Sequence, residues 1–244
     1  MKNFSLIFTL ALFVFSCKKD NVDPSVPADA LTKITVDDKL HESFEYADGM
    51  LVKENRFGSC ETPYSIVNYK YQSGRLKSVE ASARGLYSSY SGAMCDPNGT
   101  FDSYKSEVEY DSEGRVSRVV RDKSTTEFEY KGREVIEKIS YDQGTGARIH
   151  NLKFDERGNL IEAETPDPVN GGIIRYEYDN KINPLHERNM ASGSGYAFSG
   201  PNNPIKAFDA AGNLLWERKF EYNEKDLPTV CVESNGVAYR YHYE

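Results

Sequence analysis

The sequence is poor in the residues that build metal sites, and most of it lacks the pattern of long helices. Its 244 residues include only four cysteines, four histidines and one tryptophan. No Cys-x-x-Cys motif occurs and no two histidines stand four residues apart, so the usual zinc patterns are missing and we expect no metal or other cofactor. Beyond the N-terminal region, no ten-residue stretch has convincing helical periodicity, which leaves β-strands as the expected elements.

Catalytic motifs and basic patches are also missing. The sequence has no Gly-x-Ser-x-Gly or His-Glu-x-x-His motif, and the glycine-rich stretch at 193–200 is not followed by the lysine and helix start of a phosphate-binding loop. The formal net charge is −8, with no basic stripe that could neutralise a phosphate backbone, so we expect no nucleic-acid partner. We therefore expect a protein that is not an enzyme.

The N-terminus carries the pattern of an export signal. Predominantly apolar residues run from Phe4 to Phe15. The run is shorter than the about 20 residues that span a bilayer, but it fits the hydrophobic region of a signal peptide. It ends in VFSC, which resembles the lipobox of bacterial lipoproteins, with Cys17 as the residue to be lipidated. We expect residues 1–16 to be a lipoprotein signal peptide; the alternative is an ordinary signal peptide with an incidental cysteine.

A polar segment follows the expected lipid anchor. Residues 17–33 hold two prolines and no apolar periodicity, which predicts a flexible tether before a single β-repeat domain at 34–244. Lys18 stands where an aspartate would favour inner-membrane retention. The resemblance therefore implies a cell-envelope lipoprotein anchored in the outer membrane through its N-terminal lipid, and it leaves open whether the protein faces the periplasm or the cell surface.

The three remaining cysteines have different surroundings. Cys60 and Cys95 both lie in turn-rich stretches, and in an oxidising compartment they are the expected disulfide pair. Cys231 lies in a β-branched stretch and is interpreted as a small strand residue.

One phrase recurs along the chain: an alternating stretch that ends in an aromatic residue, then Asp-x-x-Gly, then a second alternating stretch. It reads EVEYDSEGRVSRVV at 107–120, NLKFDERGNLIEAE at 151–164 and IKAFDAAGNLLWER at 205–218. The alternation has the period of a half-buried strand, and Asp-x-x-Gly is typical of a type I turn that closes on a left-handed glycine. Looser copies raise the total to about eight strand pairs, so we expect a succession of β-hairpins whose glutamates form the solvent face.

The phrase resembles the YD repeat of the RHS (rearrangement hotspot) proteins. The segments YEYDNKINPLHERN (176–189), PNNPIKAFDAAGN (201–213) and FEYNEKDLPT (220–229) resemble more closely a family of small Gram-negative lipoproteins of unknown function that carry such repeats. RHS repeats form long antiparallel sheets, so the resemblance implies an all-β fold. Because about eight strand pairs are fewer than a closed RHS shell uses, we predict a single extended sheet that is twisted and curled but not closed.

Two insertions rich in glycine, serine and tyrosine interrupt the repeat, at 83–103 and 188–204. Aromatic side chains there suit sugar stacking or protein contact, or they pack back to order the loops, and both interpretations stay open. The candidate binding aromatics are Tyr87, Tyr90, Phe101, Tyr104, Tyr196, Phe198 and the single tryptophan, Trp216.

Two functions fit these observations. The first is a membrane-anchored, non-enzymatic binding or scaffold lipoprotein that presents its β-surface and two long loops to a glycan or an envelope protein. The alternative is a hydrolase of an extracellular polymer such as a glycan, with its site under the insertions. The missing nucleophile, metal ligands and acid–base pair favour the first.

Overall fold

The computed structural model describes residues 29–85, 94–142, 146–165, 172–186, 188 and 200–244. Within these residues the chain forms sixteen β-strands that pair antiparallel, so the expected all-β class is confirmed. The strands are β1 (Leu31–Val36), β2 (Lys39–Ala47), β3 (Met50–Arg56), β4 (Ser65–Gln72), β5 (Arg75–Arg84), β6 (Phe101–Tyr110), β7 (Val116–Arg121), β8 (Ser124–Lys131), β9 (Glu134–Tyr141), β10 (Ala147–Phe154), β11 (Leu160–Thr165), β12 (Gly172–Ile182), β13 (Asn202–Phe208), β14 (Leu214–Tyr222), β15 (Pro228–Glu233) and β16 (Ala238–Tyr243).

The sheet closes on itself, so the predicted open, extended sheet is wrong. Each strand pairs with its sequence neighbours, and β1 pairs with β16 from Leu31 opposite Tyr243 to Val36 opposite Tyr239. Closure has two physical reasons. Twist accumulates from strand to strand and brings the two edges of a long sheet together, and the β1–β16 pairing satisfies backbone groups that an open edge would leave unpaired.

The first strand begins before the predicted domain boundary at residue 34. β1 includes residues 31–33, which the sequence assigns to the tether. Leu31 is only 3% exposed and packs in the same interior cluster as Ile34. The folded part therefore starts where an apolar side chain first reaches the barrel interior.

Strand parity divides the connections between two ends of the barrel. We call one the tyrosine end; it carries the connections that follow the even-numbered strands β2 to β14, and also Asp29 and Glu244, which are joined by a backbone hydrogen bond of 2.7 Å. The other is the disulfide end, which carries the connections that follow the odd-numbered strands. The strands that flank the first insertion, β5 and β6, meet it at the disulfide end, and the strands that flank the second, β12 and β13, meet it at the tyrosine end.

The Asp-x-x-Gly turns form as the repeat predicts. Asp111 Oδ1 accepts the backbone N–H groups of Glu113 and Arg115, both at 2.9 Å, and Gly114 has a φ of +83°. Asp155 and Asp209 hold their turns in the same way. The repeated phrase is thus explained by backbone geometry.

The turn of the third copy of the phrase lies at the other end of the barrel from the turns of the first two copies. Asp111 and Asp155 follow β6 and β10 at the tyrosine end, whereas Asp209 follows β13 at the disulfide end. Ala207, the residue before Phe208, is fully buried, so alternation turns the Phe208 side chain to the outer face. A turn motif fixes local geometry but does not fix the end of the barrel at which it lies.

Five tyrosines near the ends of even-numbered strands make one repeated contact. Each of these five hydroxyls donates to a backbone carbonyl near the start of the preceding strand, at the tyrosine end. The pairs are Tyr46 to Leu31 at 3.0 Å, Tyr71 to Leu51 at 2.9 Å, Tyr110 to Leu76 at 2.9 Å, Tyr130 to Val116 at 2.7 Å and Tyr243 to Pro228 at 2.8 Å.

The inner and outer faces of the wall differ in chemistry. Two apolar clusters line the interior, one around Phe44, Val67 and Val79 and one around Leu152 and Leu160. The outer face carries ion pairs between neighbouring strands, which include Lys70–Glu80 at 2.6 Å, Lys153–Glu162 at 2.7 Å and Arg175–Glu162 at 3.0 Å. The outer wall therefore has the character of a water-facing surface.

Candidate ligand-binding cavity

The connection that follows β12 enters the barrel. Leu185 packs against the interior cluster of β1–β5, and Arg188 Nη1 lies 2.7 Å from Glu42 Oε2 and 3.4 Å from Glu54 Oε1. The order of strands in the wall puts five strand-to-strand steps between β13 and β2. The connection therefore crosses the interior from one side of the wall to the other.

Arg188 belongs to a buried polar network. The Glu54 side chain is fully buried and accepts hydrogen bonds from Arg56 Nε and, at 2.9 Å, from the Tyr69 hydroxyl. Burial by itself would raise the pKa of Glu54, but the charges of Arg188 and Arg56 and the two hydrogen bonds outweigh it, so its pKa lies below the usual value. Glu54 is thus an ionised anchor for the connection inside the barrel.

A cavity of about 220 Å³ lies between this connection and the wall. Its lining reaches from Asn183 and Pro204, near the tyrosine end, to Glu233 and Tyr239, near the disulfide end. Ile34, Leu185 and Phe220 supply apolar surface. The mixture of apolar, aromatic and polar groups is the usual lining of a small-molecule site.

The ionised side chains that line the cavity form two pairs. Arg188 pairs with Glu42, and Arg218 donates to Glu233 Oε1 from Nε at 3.1 Å and from Nη2 at 2.8 Å. Adjacent strands place the second pair, since Arg218 on β14 stands directly across from Glu233 on β15. Among the described lining residues, the two arginines and the two glutamates balance in charge.

Aromatic side chains surround these pairs. His41 packs edge-on against Tyr239 with ring centroids 5.5 Å apart, and Tyr241 lines the same space. The Arg218 guanidinium lies over the Trp216 ring, 4.9 Å from its centroid. Trp216 therefore adjoins the cavity through Arg218, on the side toward the disulfide end.

Cys231 also lines the cavity, as a free and buried thiol. Burial raises the pKa of its thiol to about 11, so the thiol is neutral at physiological pH and a poor nucleophile. Its position on β15 fits the interpretation as a small strand residue.

A second buried polar pair lies elsewhere in the interior, on β9 and β10. Glu137 is 1% exposed, and its Oε2 lies 2.7 Å from His150 Nδ1. Burial raises the pKa of Glu137 to about 7, and burial lowers the pKa of His150, so just below neutral pH the Glu137 carboxylic acid can donate to a neutral imidazole.

The described candidate aromatics do not form one site, because Phe101 and Tyr104 lie on β6 and Trp216 lies on β14. Tyr104 stands opposite Ala81 on the inward face, yet its side chain is 43% exposed, and the Phe101 ring is covered by the Arg84 guanidinium at 4.6 Å. Trp216 is a strand residue beside the cavity. The candidates Cys17, Tyr87, Tyr90, Tyr196 and Phe198 lie outside the described residues.

Cys60 and Cys95 form a disulfide bond, the pairing expected from the sequence. Their Cα atoms are 5.0 Å apart, within the ordinary range for a disulfide. Both belong to connections at the disulfide end, one after β3 and one after β5. The bond therefore ties two neighbouring connections at the same end.

The sequence did not reveal the charged groups inside the barrel. Its glutamates were interpreted as the solvent face of the strands, yet Glu54 and Glu137 are buried. For Glu137 a signal existed, because alternation places it on one face with Val135 and Ile139. For Glu54 and Glu42 no local signal existed, since their partner Arg188 is more than 130 residues away.

Comparisons with known proteins give little further guidance. No family model matches the chain, and no curated protein matches it. The chain is similar to the solved structure of a porin-like protein from Bacteroides uniformis ATCC 8492, with 10% sequence identity, a TM-score of 0.35, and coverage of 90% of this chain and 99% of that chain. A similarity this low carries no argument about function. Among the described residues no helix is long and apolar enough to cross a membrane, and no cluster of three or more potential metal ligands occurs.

Proposed function

We propose that this chain is a non-enzymatic binding lipoprotein of the cell envelope, which holds its ligand inside the barrel. The observation that carries the proposal is the interior cavity of about 220 Å³, bounded by the wall and by the connection that Arg188 anchors. A cavity with convergent polar groups and aromatic rings is the default binding site of a protein.

The state of the lining groups supports binding rather than catalysis. Glu42 and Glu233 each pair with an arginine, and Cys231 is a neutral thiol, so the described lining offers neither an activated nucleophile nor an acid–base pair. The hydrolase alternative required a site under both insertions. The strands that flank the two insertions meet them at opposite ends of the barrel, which weighs against a site that both insertions cover.

The lipid on Cys17 is part of the proposal, as is attachment to the outer membrane. The described chain starts at Asp29, at the tyrosine end. A flexible tether of the intervening length has a typical end-to-end distance of roughly 20 Å, so the tyrosine end would stay near the membrane and the disulfide end would face away. The charged outer wall fits this arrangement, because a wall inserted in lipid presents an apolar band.

Two measurements test this function. Mass spectrometry of the membrane fraction should find an acylated peptide that begins at Cys17, and Cys17→Ser should move a folded protein to the soluble fraction. Incubation with a glycan panel should release no product. Soluble wild-type protein whose first residue is not Cys17, or release of a glycan product, would contradict the proposal.

A further inference from the structure

The size, charge balance and rings of the cavity together indicate a class of ligand. We infer that the cavity binds one neutral, monosaccharide-sized polyol, an inference that rests on the proposed function as a binding protein.

Volume limits the ligand to a single small ring. A water molecule takes about 30 Å³ of liquid volume, so the cavity of about 220 Å³ holds roughly seven waters or one molecule of about a dozen non-hydrogen atoms. One hexose fits this volume, whereas a disaccharide would have to extend out of the cavity.

Charge balance disfavours an ionic ligand. An anion would compete with Glu233 for Arg218 or with Glu42 for Arg188, and would leave a carboxylate without its partner in a partly desolvated site. A cation would strand an arginine in the same way. Hydroxyl groups donate and accept at once, so a polyol can bond to guanidinium N–H groups and to carboxylate oxygens while both ion pairs persist.

The rings supply the other half of sugar recognition. Phe220, Tyr239 and Tyr241 line the space, and Trp216 adjoins it behind Arg218. Aromatic faces pack well against the C–H faces of a pyranose, and the tyrosine hydroxyls add further hydrogen-bonding groups. A purely apolar ligand would instead leave the remaining hydrogen-bonding capacity of the two ion pairs unsatisfied.

Cys231 provides a native reporter of occupancy, because it is a buried free thiol in the cavity lining. The mature, detergent-solubilised protein is treated with iodoacetamide at alkaline pH, which raises the ionised fraction of this weakly acidic thiol, and labelling of the Cys231 peptide is followed by mass spectrometry. The probes are glucose, galactose, mannose and myo-inositol. Glucuronate tests charge, maltose tests size and adenine tests a planar heterocycle. At a free sugar concentration of about ten times Kd, the labelling rate should fall about ten-fold and the melting temperature should rise.

A matched pair of variants distinguishes a loss of binding that is specific to the cavity from the effect of breaking any ion pair of the wall. Glu233→Gln alters the ion pair in the cavity, and Glu109→Gln alters the comparable cross-strand pair with Arg118 on the outer face. The first should weaken sugar binding at least about ten-fold, the loss expected for one charge-assisted hydrogen bond, and the second should leave it unchanged. If Glu233→Gln fails to fold, Tyr241→Phe removes one hydroxyl from the same cavity and should also weaken binding.

Each outcome is decisive. Protection by a neutral monosaccharide that is lost in the cavity variant alone supports the inference. Absence of protection by all four neutral probes, or protection by glucuronate, maltose or adenine instead, overturns it. Either of those results leaves the lipoprotein function standing if Cys17 is acylated and no glycan product appears. Chemical conversion of a bound sugar would overturn the proposed function itself.

Discussion

Asp111 and Asn223 stabilise two turns of the same type, Asp111 with a carboxylate and Asn223 with an amide. Each side-chain Oδ1 accepts the N–H groups two and four residues on, to Glu113 and Arg115 from Asp111 and to Lys225 and Leu227 from Asn223. We therefore expect Asp111→Asn to leave the urea midpoint close to wild type, and any ligand binding unchanged. A selective loss of binding in a variant of normal stability would contradict this structural role.

Gly114 is the more sensitive residue of that turn. Its φ of +83° lies in the left-handed region, and a Cβ there would stand 2.9 Å from Arg75 Nη2, the flexible end of a side chain. Gly114→Val should destabilise the fold by about 1–2 kcal/mol, mainly through backbone strain. Gly114→Asn should cost less, because Asp226 adopts a φ of +61° at the matching position of the Asn223 turn. Urea denaturation of both variants tests this order, and equal losses would contradict it.

The tyrosine hydroxyl of the repeat should have a measurable role. Tyr130→Phe removes the donor to the Val116 carbonyl at 2.7 Å but keeps the ring under the Arg115 guanidinium. The expected loss is about 1 kcal/mol, that of one intramolecular hydrogen bond. Tyr104→Phe is the control, because the exposed Tyr104 side chain should lose its hydroxyl without effect. Equal changes in the two urea midpoints would contradict a stabilising role of the hydrogen bond from Tyr130 to Val116.

Glu137 should shape the pH dependence of stability. Burial raises its pKa from 4.5 to about 7, so across that interval the folded protein keeps a proton that the unfolded chain has lost. Its contribution is complete below the unfolded pKa and is lost as pH rises toward 7. Glu137→Gln, a neutral mimic that can still donate to His150, should be close to wild type at pH 4.5 and exceed it at pH 8 by about 3 kcal/mol at most.

Chemical denaturation of both proteins at several pH values tests this prediction. His150 and Arg121 are the other charged or titratable groups beside Glu137, and both are retained in the variant. Comparison with wild type therefore isolates the Glu137 proton. A variant with the same pH slope as wild type from pH 4.5 to 7 would contradict the raised pKa.

Local chemistry explains which residues could be predicted from the sequence. Asp111 and Gly114 were predictable because a turn depends on four or five consecutive residues. The burial of Glu54 was not, because one of its charged partners, Arg188, lies 134 residues away. Glu42 and Glu54 acquire this partner only when the β12–β13 connection enters the barrel.

At the scale of single elements, the disulfide should stabilise the disulfide end. The bond joins residues separated by 35 positions, and closing such a loop is worth about 3–4 kcal/mol in the chain-entropy model. Cys60→Ser/Cys95→Ser should lower the free energy of unfolding by about that amount. Reductant should destabilise the wild-type protein and leave the double variant unchanged. A wild-type protein that is insensitive to reductant would contradict this contribution.

The positions of the insertions show a feature of the elements that the sequence does not predict, namely the end of the barrel at which a connection starts. Both insertions were recognisable from composition. The sequence did not reveal that the strands flanking them meet them at opposite ends of the barrel. In an up-and-down sheet, the end of each connection depends on the parity of all preceding strands, so one miscounted strand reverses every later assignment. The looser early copies of the repeat made that count about eight pairs rather than an exact number.

At the scale of the whole molecule, closure of the barrel could not be predicted from the repeat pattern. Strand number and antiparallel hairpins follow from alternation and turns, which act between neighbours. Whether the edges meet depends on twist and shear summed over all sixteen strands, which no single repeat specifies. The interior cavity, and with it the proposed function, exists only because β1 pairs with β16.

Cross-linking across that seam tests the central claim most directly. Lys33 on β1 stands opposite His242 on β16. In the closed barrel, oxidised Lys33→Cys/His242→Cys protein should form an intrachain disulfide, found as a linked peptide pair in the monomer. The control pair Arg118→Cys/Glu127→Cys joins β7 and β8 and should cross-link in either architecture. An open sheet would hold residues 33 and 242 about 70 Å apart, at fifteen strand spacings, so cross-linking of the control alone would contradict the closed barrel.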